Sequence, residues 1–150
     1  MEHAMKKIVT ALSLSVLVAA CSSTPEKTRI VQDTDLQHHH WVLSKIDGNE
    51  VAKDAKGQVP DLEVGEDMFA HGMSGCNSYR GLAEINPKTG FFRVNQMAMT
   101  MKMCQGDAMD TERAMASTLS TWSKIDLGKD TLTLSNNQHT LTFTLRDWVN

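Results

Sequence analysis

Residues 130–145 carry a strict alternation of apolar and polar side chains, which constrains the fold more than any other feature. The segment DTLTLSNNQHTLTFTL has an apolar residue at every second position of each half, with threonine between them. Side chains alternate between the two faces of a β-strand, so the pattern predicts two strands with one apolar face each. Asn136 and Asn137 interrupt the alternation and tolerate the positive φ values of tight turns. The segment therefore predicts an antiparallel hairpin whose inward residues are Leu132, Leu134, Leu141, Phe143 and Leu145.

Two further segments predict short strands of the same sheet. HWVLSKIDGNEV predicts strand, turn and strand, because Asp47-Gly48 favours a hairpin turn. Residues 79–85 and 91–94 predict a second hairpin, with the turn residues Pro87 and Gly90 between them. Several short strands joined by turns indicate a predominantly antiparallel sheet.

Residues 107–122 predict the helix of the domain. Asp107 or Asp110 can cap its N-terminus, and both place negative charge where the helix dipole favours it. Met115, Leu119 and Trp122 form an apolar stripe at helical spacing, which can pack on a sheet. The predicted fold class is α+β: a small antiparallel barrel-like or rolled sheet of about seven to eight strands packed on one helix.

The segment NQMAMTMKMC has a methionine at every second position. On a single strand, Met97, Met99, Met101 and Met103 share one face and Cys104 lies on the other. Such a stripe is typical of a core, or of a pliable partner surface, because thioether side chains adapt to irregular apolar shapes. Soft thioether sulfurs also suit Cu(I). Core packing is the first interpretation of the four methionines, and a candidate partner surface and copper binding are the alternatives that we keep.

The N-terminus predicts an exported, lipid-anchored protein. Two lysines precede an uncharged, mostly apolar run over residues 8–20, which is shorter than the roughly 20 residues that cross a bilayer. The VAAC sequence at 18–21 resembles a bacterial lipobox, which implies acylation of Cys21, and the Ser22 that follows implies the outer membrane. The expected division is a lipoprotein signal peptide over 1–20, the acylated cysteine with a flexible tether over 21–37, and one folded domain over 38–150.

Charge and motifs exclude several classes of function. The formal net charge is −3 at pH 7, and the sequence contains no basic stripe, so we expect no nucleic-acid partner. It also contains no phosphate loop and no dinucleotide fingerprint, so we expect no cofactor.

The cysteines predict a disulfide. The chain has three cysteines, and lipid attachment at Cys21 leaves Cys76 and Cys104, which favour each other in an oxidising compartment. The SGCNSYRG segment around Cys76 then has a structural role: Gly75 lets the backbone bend, Asn77 satisfies a turn, and Tyr79 packs with its hydroxyl outward.

Two chemical alternatives remain for this region. Cys76 could be a nucleophile with His71 as its base, although no third group that would orient the base is evident. A metal ion could be held by the methionines or by His38, His39, His40 and His71, but consecutive histidines on a strand alternate faces. We expect no catalytic residue and no metal site.

Five segments together resemble the META domain family over residues 38–150: WVLSKIDGNEV, SGCNSYRG, MAMTMKMC, TERAMASTLSTW and LTLSNNQHTLTFTL. The pairing of Gly-Cys-Asn with a later Met-x-x-Cys is the more specific part. The resemblance implies a small barrel-like or rolled sheet with a packed helix and induction under heat or envelope stress. It also implies a role in tolerance of the antibiotic novobiocin and no established enzymatic activity.

The expected function is non-enzymatic. The residues and the resemblance predict a lipoprotein that is anchored in the outer membrane through Cys21, faces the periplasm and binds an envelope protein or a lipid. The alternative is a periplasmic protein whose activity depends on a thiol or on copper.

Overall fold

The structure is a computed structural model that describes residues 30–54 and 57–148. Its elements in chain order are β1 (His39–Ile46), β2 (Asn49–Glu50), β3 (Asp61–Val64), β4 (Phe69–Met73), β5 (Ser78–Asn86), β6 (Phe91–Met99), α1 (Asp107–Ser120), β7 (Ser123–Leu127), β8 (Thr131–Ser135) and β9 (Thr140–Trp148). The predicted signal peptide, Cys21 and the first part of the tether lie outside the described residues.

The strands form a closed antiparallel barrel. The order is β2-β1-β3-β4-β5-β6-β7-β8-β9, and β1 also pairs with β9, so eight strands close on themselves and β2 extends β1 as a hairpin. Closure removes the free sheet edges at which other chains could pair. The predicted fold class, an antiparallel barrel of about eight strands packed on one helix, is confirmed.

The barrel interior is the hydrophobic core. On the β8–β9 hairpin, the alternation places leucines and Phe143 inside, as predicted. Trp41 and Leu43 on β1 face them, because β1 pairs with β9 in the closing ladder. The largest fully buried side chains are Trp41, Phe92, Phe143, Leu36, Leu43, Leu62, Met115, Leu119, Leu132, Leu134, Leu141 and Val64.

Helix α1 lies where the barrel wall is incomplete. Strands β6 and β7 pair only at Phe91 and Phe92, and α1 packs against β6 beyond that point. Met115 and Leu119 are fully buried, as the predicted stripe requires. Trp122 was wrongly included in that stripe: it follows the helix end, is 40% exposed and stacks under Arg93, whose guanidinium carbon lies 4.5 Å from the ring centre.

The helix begins differently from the prediction. Its N-cap is Gly106, with a φ of 68°, and no side chain makes the capping hydrogen bond. Asp107 and Asp110 lie inside the first turn, where their charges meet the positive end of the helix dipole. The predicted aspartate cap is therefore wrong, although the favourable charge placement is present.

Two turns meet at one end of the barrel. Asp47 and Gly48 both have positive φ, as the Asp-Gly hairpin signal predicts. The Asp47 carboxylate accepts hydrogen bonds from the His139 ring (2.8 Å) and from the Thr140 backbone N–H (2.7 Å). These bonds lower the pKa of Asp47, the His139 bond most, so its charge supports the pairing of the two turns. Asn136 makes its turn through its side-chain oxygen, which accepts from the backbone N–H groups of Gln138 and His139, and not through a positive φ.

The folded part of the chain begins earlier than residue 38. Val31 and Leu36 are buried in the barrel core, and a short 3-10 turn over Asp33–Asp35 lies between them. The prediction of a flexible tether up to residue 37 is therefore wrong for this stretch. The sequence did not indicate the burial, because the isolated apolar residues of the stretch show no period. In the described part of the chain, no helix has both the length and the apolar character needed to cross a membrane.

Candidate functional site

Residues 100–106 connect β6 to α1 and carry two exposed methionines; we call them the methionine loop. Met101 is 96% exposed and Met103 is 91% exposed. Exposed apolar surface is the kind of surface that contacts partners, so we take these two side chains as a candidate contact surface. The loop contains no helix or strand, so side-chain contacts from elsewhere must hold it in place.

Asn77 holds the backbone of the methionine loop. Its side-chain oxygen accepts from the Lys102 N–H (2.7 Å) and from the Thr100 hydroxyl (2.7 Å). Its amide nitrogen donates to the Lys102 carbonyl (3.1 Å). Asn77 is buried, and hydrogen bonds to a buried amide are costly to lose. The residue between the two exposed methionines is thus fixed at both its N–H and its C=O.

The same asparagine is tied to the helix. Glu112 of α1 accepts from the Asn77 backbone N–H (2.7 Å) and from its amide nitrogen (3.0 Å). The Ser74 hydroxyl lies 2.7 Å from the Asn77 carbonyl and 3.2 Å from the Glu112 carboxylate. Hydrogen bonds to a carboxylate are stronger than neutral ones, so this contact fixes α1 against the SGCN turn.

A disulfide completes the attachment. Cys76 and Cys104 are bonded, as predicted, with Cα atoms 5.8 Å apart. Gly75, just before Cys76, has a φ of 127°, and a Cβ there would lie 2.6 Å from the Ala108 carbonyl oxygen. Only glycine allows this close approach of the helix start. Because Cys76 is in the disulfide, the alternative of a Cys76 nucleophile with a His71 base is excluded.

The four methionines do not share one face. Met97 and Met99 lie on β6, which ends at Met99, and pack against the core, while Met101 and Met103 lie beyond the strand and are solvated. The predicted continuous stripe is therefore wrong. Of the candidate partner surface of Met97, Met99, Met101 and Met103, only Met101 and Met103 are available to a partner. The same two sulfurs are all that remains for the copper alternative.

The histidines have other partners. His38, His40 and His71 lie 3.4, 2.8 and 3.4 Å from Glu66, Asp61 and Glu63, respectively. The ring of His39, which is buried, lies 2.7 Å from the Gln37 carbonyl. Among residues 30–54 and 57–148, no three of the His, Cys, Asp and Glu side chains are grouped so that they could hold a metal ion.

Asp61 forms a second network beside the site. Its backbone carbonyl accepts from the Tyr79 hydroxyl (2.8 Å), and its carboxylate accepts from the Met73 N–H (2.6 Å). The Tyr79 hydroxyl is thus inside and not outward as predicted, and burial raises its pKa well above the usual value, with the Asp61 charge adding to the rise. This network connects β3, β4 and β5 but does not reach the methionine loop.

A cleft of about 460 Å³ lies between residues 49–54 and 58–60 on one side and the start of α1 on the other. Its walls are Val51, Pro60, Met73 and the first turn of the helix. Of the methionine loop, only Gln105 lines this cleft, so the exposed thioethers belong to a different surface.

The geometry defines a small barrel scaffold that presents one fixed loop. Residues 34–148 match the META domain family. Heat shock protein HslJ of Escherichia coli (strain K12) is 31% identical over 147 residues, which cover 97% of this chain and 100% of the relative. The chain therefore belongs to the META domain family.

Two solved structures have the same fold. One NMR structure is 30% identical, with a TM-score of 0.66, and the match covers 77% of this chain and 95% of that one. An NMR structure of a protein from Burkholderia xenovorans is 22% identical, with a TM-score of 0.63, and the match covers 92% and 99% of the two chains. At that identity the second likeness shows the fold alone.

Sequence reasoning did not identify Glu112 or the full role of Asn77. Asn77 was assigned to a turn, because asparagine beside glycine and cysteine is typical of one. A glutamate in a helix, such as Glu112, is ordinarily solvated, and nothing in the sequence pairs it with a residue on another element.

Proposed function

We propose that this chain is a lipoprotein of the outer membrane, anchored through Cys21, that acts under heat stress by binding an apolar segment of another envelope protein. The single observation that carries the binding proposal is the exposure of Met101 and Met103 on a loop held at both ends. The lipobox-like sequence at 18–21 supports the anchor, and the likeness to a protein named Heat shock protein HslJ supports the stress role.

The physical basis is the adaptability of methionine. Unbranched thioether side chains pack against many apolar shapes, so surfaces that accept varied partners use them. Asn77 and the disulfide keep the backbone ordered, so binding costs the ordering of two side chains and not of a whole loop. A segment that heat has exposed on an envelope protein supplies the complementary apolar surface.

Site-specific photo-crosslinking tests the binding surface. A photoreactive residue at position 101 should capture envelope proteins in heated cells, whereas one at Lys88, in the exposed β5–β6 turn, should capture few. Adducts only with lipid would redirect the proposal to a lipid ligand. Equal capture at both positions would refute the loop as the surface.

The anchor and the stress role need separate measurements. The intact mass of membrane-extracted protein should include acyl chains, and Cys21→Ala should release the protein from the membrane fraction. A strain lacking the protein should regain novobiocin tolerance from the wild-type chain but not from the Met101→Ser/Met103→Ser chain. Full rescue by the variant would separate tolerance from the methionine loop.

A further inference from the structure

Of the eight described methionines, Met101 and Met103 are far more exposed than the other six. Met115 is fully buried and Met68 is 8% exposed, while Met97 and Met99 pack against the core. Met101 and Met103 are 96% and 91% exposed. Oxidation of a thioether requires contact between the sulfur and the oxidant, so exposure separates the two sets kinetically.

The loop is attached by groups that oxidation of these methionines leaves intact. Asn77 binds the backbone of Lys102, and the disulfide uses Cys76 and Cys104. A sulfoxide in a core is polar and disrupts packing, but at positions 101 and 103 the added oxygen meets water. We therefore expect oxidation there to leave the barrel and its attachments unchanged.

We propose that Met101 and Met103 are a repairable oxidation site for small electrophilic oxidants of the hypochlorous acid and hydrogen peroxide class. Each thioether sulfur loses two electrons and gains one oxygen atom, giving a sulfoxide. Hypochlorous acid is reduced to chloride with release of a proton, and hydrogen peroxide is reduced to water. A thiol-dependent sulfoxide reductase reverses the step: the oxygen leaves as water while two thiols become a disulfide.

This proposal is independent of partner binding. Oxidation gives the exposed loop a chemical role whether or not a protein docks on it. The sulfoxide oxygens also make the loop more polar. The two tests are also separate, because the oxidation experiment uses the purified chain without a partner.

The test is limiting hypochlorous acid added to the full-length protein, followed by peptide mass spectrometry. Sulfoxide at Met101 and Met103 should exceed that at Met68 by about tenfold, following the ratio of their exposed fractions. The urea midpoint of the oxidised protein should equal that of the untreated protein. Comparable oxidation of Met97 or Met115, or a lowered midpoint, would overturn the proposal.

Two matched variants serve as controls. Met101→Leu/Met103→Leu should abolish most of the sulfoxide formation that limiting oxidant causes, whereas Met97→Leu/Met99→Leu should leave it unchanged. In urea-unfolded protein all of these methionines should react alike, which shows that the fold and not local sequence sets the preference. The two epimer-specific methionine sulfoxide reductases, supplied together with reduced thioredoxin, should return the oxidised methionines to thioethers in the peptide mass spectrum, and persistence of the sulfoxides would refute repair.

Discussion

The two halves of the methionine run have the same residue type and the same spacing but opposite environments. Met97 and Met99 lie on β6 and pack against the core, while Met101 and Met103 lie two to four residues further on and face solvent. The residues themselves cannot account for the difference. Contacts from elsewhere in the chain decide which half is inside.

A bulge turns the first half inward. Val94 faces the core, so an uninterrupted strand would bring residues 96 and 98 inside. Gln96 instead has a φ of 51°, and the β5–β6 register shifts between Arg80 and Leu82, which moves the inward positions to Met97 and Met99. The second half stays outside because Asn77 and the disulfide hold the backbone that carries it.

Removal of the disulfide should have the largest effect on the stability of the protein and on the methionine loop. Cys76→Ser/Cys104→Ser should lower the free energy of unfolding by roughly 3.5 kcal/mol, since the bond joins residues that are 28 positions apart in the sequence. Urea unfolding of the purified protein measures this. Trypsin should also cleave after Lys102 much faster in the variant. Unchanged cleavage would mean that Asn77 alone fixes the loop.

Asn77→Ala should have the next largest effect. The substitution leaves the Lys102 N–H and C=O without their partner and removes the bond from the amide nitrogen to Glu112. The free energy of unfolding should fall by about 3 kcal/mol. Urea unfolding and tryptic cleavage after Lys102 again provide the measurements. Asn77→Asp retains one acceptor oxygen but brings a charge beside Glu112, so it should not rescue stability. Rescue by aspartate would show that the amide donor bonds contribute little.

Gly81→Ala should disturb the inward half. A Cβ at position 81 would lie 2.6 Å from Val94 Cγ1 and 2.7 Å from the Asn95 carbonyl oxygen, across from the bulge. Relief of that clash moves β6 and should cost about 2 kcal/mol. Gly90→Ala provides a comparison in which no atom lies within 4 Å of the new Cβ but φ is 68°, so its cost comes from backbone strain alone. Equal losses would show that crowding at the bulge is not the cause.

The sequence was informative wherever one strand keeps one periodicity. The leucine–threonine alternation of β8 and β9 predicted the inward residues, and Asp47-Gly48 predicted the first turn. It was misleading at the bulge, because the spacing of the methionines is unbroken while the strand that carries them is not. The hydrogen bonds from Asn77 to Glu112 could not be predicted, since they join residues whose proximity depends on the closed barrel and the position of α1.

The smallest effect is expected from a matched pair of polar substitutions. Met99→Gln places an amide against the core without a partner and should lower the free energy of unfolding by about 1 kcal/mol. Met101→Gln, of nearly the same length, places that amide in water and should change it by less than about 0.5 kcal/mol. Urea unfolding of the two variants side by side measures the difference. If both variants lost the same stability, the exposed loop would be packing against something, and the division of the run into an inner and an outer half would be wrong.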